Sequence, residues 1–179
     1  MRLFIALNFN NEVKAQIKNI INKVKSNSVQ GSFVNEEHMH LTVEFLGEIQ
    51  KERVCLVKEL MDTLKFEEFT LGLTRLGYFK KREGKTYWLG IENNHDLNSL
   101  HRSLHQRLLD KGFKLEDREY KPHITLGRKV ILKDSFDASV IDGTKSKILI
   151  DINKIDLMKS ELVDGRLVYS VLYSRQAKR

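Results

Sequence analysis

The sequence predicts an α+β fold built on antiparallel sheets, and three observations lead there. Helical and extended stretches do not alternate strictly over the 179 residues, so a doubly wound parallel sheet is disfavoured. Pairs of strands separated by short turns recur. A unit of helix, strand and hairpin occurs twice, and its strand carries His-x-Thr each time: His40-Leu41-Thr42 and His123-Ile124-Thr125. The order resembles an imperfect duplication.

Arg2 to Asn8 reads as a first strand, with Leu3, Ile5 and Leu7 on one face and Arg2, Phe4 and Ala6 on the other. Asn10 or Asn11 can cap a helix whose Val13, Ile17, Ile20, Ile21 and Val24 form an apolar stripe, and Ser26 to Gly31 breaks it. The strand of His40 follows and ends at Gly47. Lys51 to Leu64 has helical periodicity, with Val54, Leu56, Val57, Leu60, Met61 and Leu64 inward. Phe69 to Phe79 and Thr86 to Ile91 read as strands joined by the basic turn Lys80-Lys81-Arg82-Glu83-Gly84. Asp96 to Lys111 is a third helix with Leu97, Leu100, Leu104 and Leu108 on one side, closed by Gly112. The strand of His123 comes next, and a closing hairpin of Lys147 to Met158 and Arg166 to Tyr173 turns at Asp164-Gly165.

Length and composition set the frame. A single domain spanning residues 1–179, made of two intimately packed lobes, is expected, because no low-complexity linker divides the chain and it holds one proline. Apolar residues make up 41% and charged residues 31%, the balance of a globular chain rather than a disordered one. No apolar run approaches the roughly 20 residues of a membrane helix, and the first residues turn polar too soon for a secretory signal. One cysteine, Cys55, excludes an internal disulfide framework and suits a reducing cytoplasm; its setting reads as a small buried residue on a helix face. Thirty-one basic residues against 24 acidic ones give +7, which points to a polyanionic partner such as nucleic acid.

The paired His-x-Thr carries the chemistry. Side chains alternate along a strand, so His and Thr share one face while Leu41 or Ile124 turns to the other. Two such strands side by side place two imidazoles and two hydroxyls around one cleft. Imidazole titrates near neutral pH, so one ring can take a proton from an attacking oxygen while the other gives one to the departing oxygen. In-line phosphoryl transfer needs that opposition, with donors for the non-bridging oxygens. A strained 2′,3′-cyclic phosphate, opened by a single P–O cleavage, fits this machinery without a metal.

The chain resembles the 2H phosphoesterases, specifically the prokaryotic RNA 2′,3′-cyclic phosphodiesterases, also called 2′-5′ RNA ligases. The resemblance runs through residues 1–6, 40–47 and 87–90, the block Lys121-Pro122-His123-Ile124-Thr125-Leu126-Gly127-Arg128, and residues 158–162 with Gly165 and Tyr169. Val43 departs from the more usual Leu. The resemblance implies a bilobal pseudo-two-fold fold, with antiparallel sheets lining a central groove and helices outside. It implies hydrolysis of a terminal 2′,3′-cyclic phosphate of RNA to a 2′-phosphate, and the reverse 2′-5′ ligation. It makes His40 the proton donor, His123 the acceptor, and Thr42 and Thr125 the phosphate holders; the residues alone do not assign the two histidine roles.

Other residues carry paired readings. Arg128 suits phosphate through its guanidinium fork, yet strict alternation from His123 turns it away unless Gly127 allows a bulge. Phe4 offers a ring to a nucleobase or packs in the core. Lys80, Lys81 and Arg82, interleaved with Tyr78, Phe79, Tyr87 and Trp88, suit RNA, whereas the aromatics also suit ordinary sheet packing. Glu44 shares the His40 face on simple alternation, to orient an imidazole or form a rim salt bridge. His38 reads as an exposed loop residue and His95 as a helix entry. His101 and His105 have metal-binding spacing, but no third ligand is evident nearby, so a boundary helix face is expected. The expectation is therefore a cytoplasmic, cofactor-free and metal-free monomer acting on RNA ends, with no membrane and no obligatory protein partner. Its rivals are an enzyme of the same kind acting on a small cyclic nucleotide or 2′-5′ oligonucleotide, and a non-catalytic RNA-binding module.

Overall fold

The computed structural model describes residues 1–137, 141 and 148–178. Its strands are β1 (Arg2–Asn8), β2 (Ser28–Phe33), β3 (His40–Glu48), β4 (Phe69–Lys81), β5 (Gly84–Ile91), β6 (His123–Leu132), β7 (Leu149–Ile152), β8 (Lys154–Val163) and β9 (Arg166–Gln176). Its helices are α1 (Asn11–Ser26), α2 (Val54–Asp62) and α3 (His95–Asp110). Two sheets form, ordered β3-β1-β8-β9 and β2-β6-β5-β4-β7, with every described pairing inside them antiparallel.

The expected α+β class with antiparallel sheets is what the chain adopts, and the two halves echo one another in detail. Helices α1 and α3 each span 16 residues, and each is opened by an asparagine. Asn10 Oδ1 accepts from Val13 N–H and Asn94 Oδ1 from Leu97 N–H, both at 2.9 Å, so each satisfies a backbone donor that the first turn leaves unpaired. Their inward residues are Val13, Ile17, Ile21 and Val24 in α1, and Leu97, Leu100, Leu104 and Leu108 in α3, as the periodicity requires.

One continuous core runs through both sheets and all three helices. Helix α1 packs against β2 and β6, and α3 against β3 and α2, so each long helix touches the His-x-Thr strand of the other half of the chain. Strand β1 is central and covered on both faces. Leu3, Ile5 and Leu7 join the main core, while Phe4 and Ala6 form a separate cluster with Met158. The buried carboxylate of Asp156 is satisfied by Asn8 Nδ2 at 2.7 Å, Ser174 Oγ at 2.5 Å and Lys154 Nζ at 3.6 Å.

Three expectations change. Residues 28–31, expected only to break the helix, begin strand β2, which pairs with β6; its exposed, polar Ser-Val-Gln-Gly-Ser sequence gave no alternating pattern to read. The closing segment is two strands rather than one: β7 pairs with β4 in one sheet and β8 with β1 in the other. Lys147, expected to begin that segment, lies outside the described residues. The hairpin of β8 and β9 does turn at Asp164-Gly165, whose φ values of 50° and 75° suit a tight two-residue turn. Finally, Cys55 is exposed, because the helix starts at Val54 and sets Val54 and Val57 inward instead.

Candidate active site

The two histidine strands present their motifs in matched surroundings. In β3, His40 and Thr42 are half-buried while Leu41 and Val43 are buried; in β6, His123 and Thr125 are half-buried while Ile124 and Leu126 are buried. The alternation that was read from sequence therefore holds through each tripeptide. The strands lie against one another across the two sheets, and the imidazoles are near enough that charge on His123 disfavours charge on His40.

Each ring is fixed by the same bond. His40 Nδ1–H donates to the His38 carbonyl and His123 Nδ1–H to the Lys121 carbonyl, both at 2.7 Å. The carbonyl belongs to residue i−2 in both cases, and it accepts only from a protonated Nδ1. Each neutral ring consequently carries its lone pair on Nε2. The intervening residue aims the carbonyl. Pro122 has φ locked near −65° by its ring, and Met39, its counterpart, sits at φ −73° and is held by 99% burial in the core.

Aromatic rings flank both imidazoles. Phe4 and Tyr169 lie 4.9 and 5.5 Å from His40; Phe79 and Trp88 lie 5.1 and 5.9 Å from His123. Each aromatic pair is itself in contact, at 5.1 Å and 5.3 Å. Trp88 can lie close because its cross-strand neighbour is Gly77, where a Cβ would come within 2.2 Å of the indole. No local sequence pattern predicts Tyr169 beside His40, since it reaches there from the closing hairpin. Phe4 is 3% exposed, so its ring wedges His40 in place and core packing is the reading that applies.

Burial lowers the basicity of both rings. His40 is pushed down from 6.5 to about 4, mainly by desolvation, which exceeds the effect of the carbonyl bond that favours the charged ring; His38, Arg128 and His123 lower it further. His123 is lowered by desolvation and by the guanidinium groups of Arg118 and Arg128, against the raising effect of its Lys121 bond. Arg128 therefore acts on both imidazoles.

A bulge explains how Arg128 gets there. Trp88 pairs with Thr125 but Tyr87 pairs with Gly127, so Leu126 is the extra residue and Arg128 returns to the His123 face. Strand β3 has a matching irregularity: Ala6 pairs with Thr42 and Ile5 with Glu44, skipping Val43. That bulge overturns the expected placement of Glu44. Rather than sharing the His40 face, Glu44 is buried on the opposite side, and Phe45 takes the groove position equivalent to Arg128. No period-2 reading detects an inserted residue.

On that far side Glu44 meets α3. Glu44 Oε2 lies 2.6 Å from His105 Nδ1 and 3.6 Å from His101 Nε2, supplying the third group that the sequence did not bring near. His101 and His105 are half-buried, as a boundary face requires. Tyr120 stacks on His101 at 3.8 Å and donates its hydroxyl to the Thr42 carbonyl at 3.3 Å. His38 is not an exposed loop residue: its side chain is 18% exposed and its ring lies 4.8 Å from that of Tyr169. His95 begins α3, as expected. Lys80, Lys81 and Arg82 are exposed at the end of the hairpin that carries Phe79 and Trp88.

Comparison with known proteins agrees with this architecture. The family model of the 2′-5′ RNA ligase superfamily matches residues 13–163. The RNA 2′,3′-cyclic phosphodiesterase of Thermotoga maritima is 33% identical over 179 residues, covering 98% of this chain and 95% of that protein. The protein of the same name from Methanocaldococcus jannaschii is 30% identical, covering 96% and 98%. Among solved structures, Escherichia coli LigT in its apo form superposes with a TM-score of 0.83 at 25% identity, over 99% of this chain and 98% of that one. No helix among the described residues is long and apolar enough to cross a membrane. Two bulged His-x-Thr strands, mirrored ring for ring, and a family match across most of the sequence place this chain in the 2′-5′ RNA ligase superfamily.

Proposed function

We propose that the chain hydrolyses terminal 2′,3′-cyclic phosphates of RNA to 2′-phosphates. The observation that carries this is the pair of Nδ1–H bonds to the carbonyls of residues i−2, which leaves Nε2 of each ring as the atom that exchanges protons. His123 Nε2 takes a proton from water as its oxygen bonds to phosphorus. The P–O3′ bond breaks in line, and the 3′ oxygen leaves with a proton from His40 Nε2. Thr42 and Thr125 hydroxyls and the Arg128 guanidinium hold the non-bridging oxygens.

A ring held near pKa 4 is a poor reservoir of protons at neutral pH. The anionic phosphate remedies this, because a negative charge beside His40 favours its protonated form. Substrate thus brings the acid into being. In ligation, an RNA 5′-hydroxyl replaces water, gives its proton to His123, attacks phosphorus, displaces the 3′ oxygen and forms a 2′-5′ link. RNA rather than a small nucleotide is favoured by Lys80, Lys81 and Arg82, which sit exposed on the same hairpin as the rings flanking His123. The names of the curated relatives agree with this substrate.

The test is incubation with an oligonucleotide ending in a 2′,3′-cyclic phosphate, with 2′- and 3′-phosphate products resolved, in EDTA. The expected product is the 2′-phosphate, and His40→Ala and His123→Ala each lower kcat by about 10²–10⁴-fold. Unchanged turnover in both variants would overturn the assignment.

A further inference from the structure

We infer that Glu44, His101 and His105 form a binding site for a divalent transition-metal ion of the zinc class, on the far side of β3 from the reacting groove. This does not depend on the proposed reaction, which uses neither the site nor an ion.

The donor set is chemically apt. Two imidazoles from consecutive turns of α3 and one carboxylate from β3 converge, and the three candidate ligand atoms all lie within 4.8 Å of one another. Bonds of 2.0–2.1 Å in a tetrahedral zinc site set ligand atoms about 3.3 Å apart. Glu44 Oε2 lies 3.6 Å from His101 Nε2 and 2.6 Å from His105 Nδ1, either side of that spacing. An ion entering between them needs the His105 contact to open and the two rings, now 5.5 Å apart by centroid, to close.

The surroundings are prepared for the same occupant. Glu44 is a buried carboxylate, and its other oxygen, Oε1, already accepts from Phe45 N–H at 3.1 Å, which holds Oε2 toward the helix. Tyr120, stacked within 6° of parallel on His101, fixes that ring's plane. Three protein ligands and half-exposed rings leave the fourth position to solvent. Without an ion, the carboxylate is satisfied by the His105 Nδ1–H, so ligation through Nδ1 moves that proton to Nε2 of the same ring.

Such an ion would clamp α3 to β3 two residues beyond Thr42, beside the Tyr120 hydroxyl that holds the Thr42 carbonyl. Its expected effects are on stability rather than on bond-breaking chemistry. Only folded protein offers the site, so about a hundredfold excess over Kd raises Tm by about 5–10 °C.

The experiment adds ZnCl2, and separately CoCl2, to metal-stripped wild-type protein. Calorimetry should give one-to-one binding, Co(II) should show the visible absorption of a low-coordinate complex, and Tm should rise. Imidazole NMR signals of His101 and His105 should respond, with those of His40 and His123 unmoved. Glu44→Gln and the double variant His101→Ala/His105→Ala should lose binding, and His95→Ala should keep it. The inference fails if wild-type protein takes up no ion, if the responding signals are those of His40 and His123, or if a folded double variant still binds. Because the wild-type signals identify the ligands directly, a variant that does not fold leaves the answer intact. Turnover in EDTA tests the proposed reaction separately.

Discussion

Acidification should destabilise this protein through His40 in a way that can be computed beforehand. In the unfolded chain its imidazole titrates near 6.5, whereas burial between Phe4 and Tyr169 pushes it to about 4 in the fold. The folded state thus prefers the neutral ring, and between those values the unfolded chain binds more protons. Stability contributed by His40 is complete above about pH 6.5 and falls as pH drops towards 4. At 1.36 kcal/mol per tenfold change, the full loss is about 3 kcal/mol, and about 2 kcal/mol of it is already gone at pH 5. The assay is urea unfolding of wild type and His40→Asn at pH 7, 6, 5 and 4, with the His40 resonance followed by NMR. The asparagine variant should lose less stability than wild type by about 2 kcal/mol between pH 7 and 5. Parallel pH slopes for the two proteins, or a His40 midpoint near 6.5, would refute the argument that desolvation governs this ring. Residual slope in the variant is assigned to His101, which burial pushes to about 4, and to His123.

Further outcomes follow from the same geometry. Inorganic phosphate should raise the His40 and His123 midpoints measured by NMR, and unmoved midpoints would remove the substrate-supplied acid from the mechanism. Arg128→Ala should lower kcat/KM by at least tenfold and raise both midpoints, with Arg128→Lys restoring the charge but not the two-pronged hold. Gly77→Val should drive the Trp88 indole off Gly77, destabilising the fold by about 1–3 kcal/mol and shifting its fluorescence. Asn10→Ala and Asn94→Ala should each cost about 1 kcal/mol in urea unfolding, and additively, since the two caps open different helices.

The sequence made the site legible wherever a short period sufficed. His40, Thr42, His123 and Thr125 face as alternation predicts, and the three helices follow from apolar spacing, with Asn10 among the cap candidates read for the first. What escaped it was contact made by distant or irregular chain. A bulge is one residue out of phase, so Glu44 went to the wrong face while Arg128, for which a bulge at Gly127 was weighed, did not. Partnership between β3 and α3 depends on the helix packing on the sheet whose strands it does not join, which no local pattern encodes; His101 and His105 therefore looked unaccompanied. Strand β2 has few apolar residues to mark it, being held by pairing with β6. The matching carbonyls of His38 and Lys121 left one clue, since His-x-His-x-Thr and Lys-x-His-x-Thr place the ring two residues past each anchor.

The route of the chain through its sheets has a practical consequence. Strand β2 lies between β1 and β3 in sequence yet joins the other sheet, and β8 and β9 follow β7 only to return beside β1. The two sheets are interleaved along the chain, so no single cut yields two self-contained halves. A protease that nicks the exposed turn at Lys80-Lys81-Arg82 would leave two polypeptides still woven together, and neither piece could be made alone without leaving a sheet short of strands.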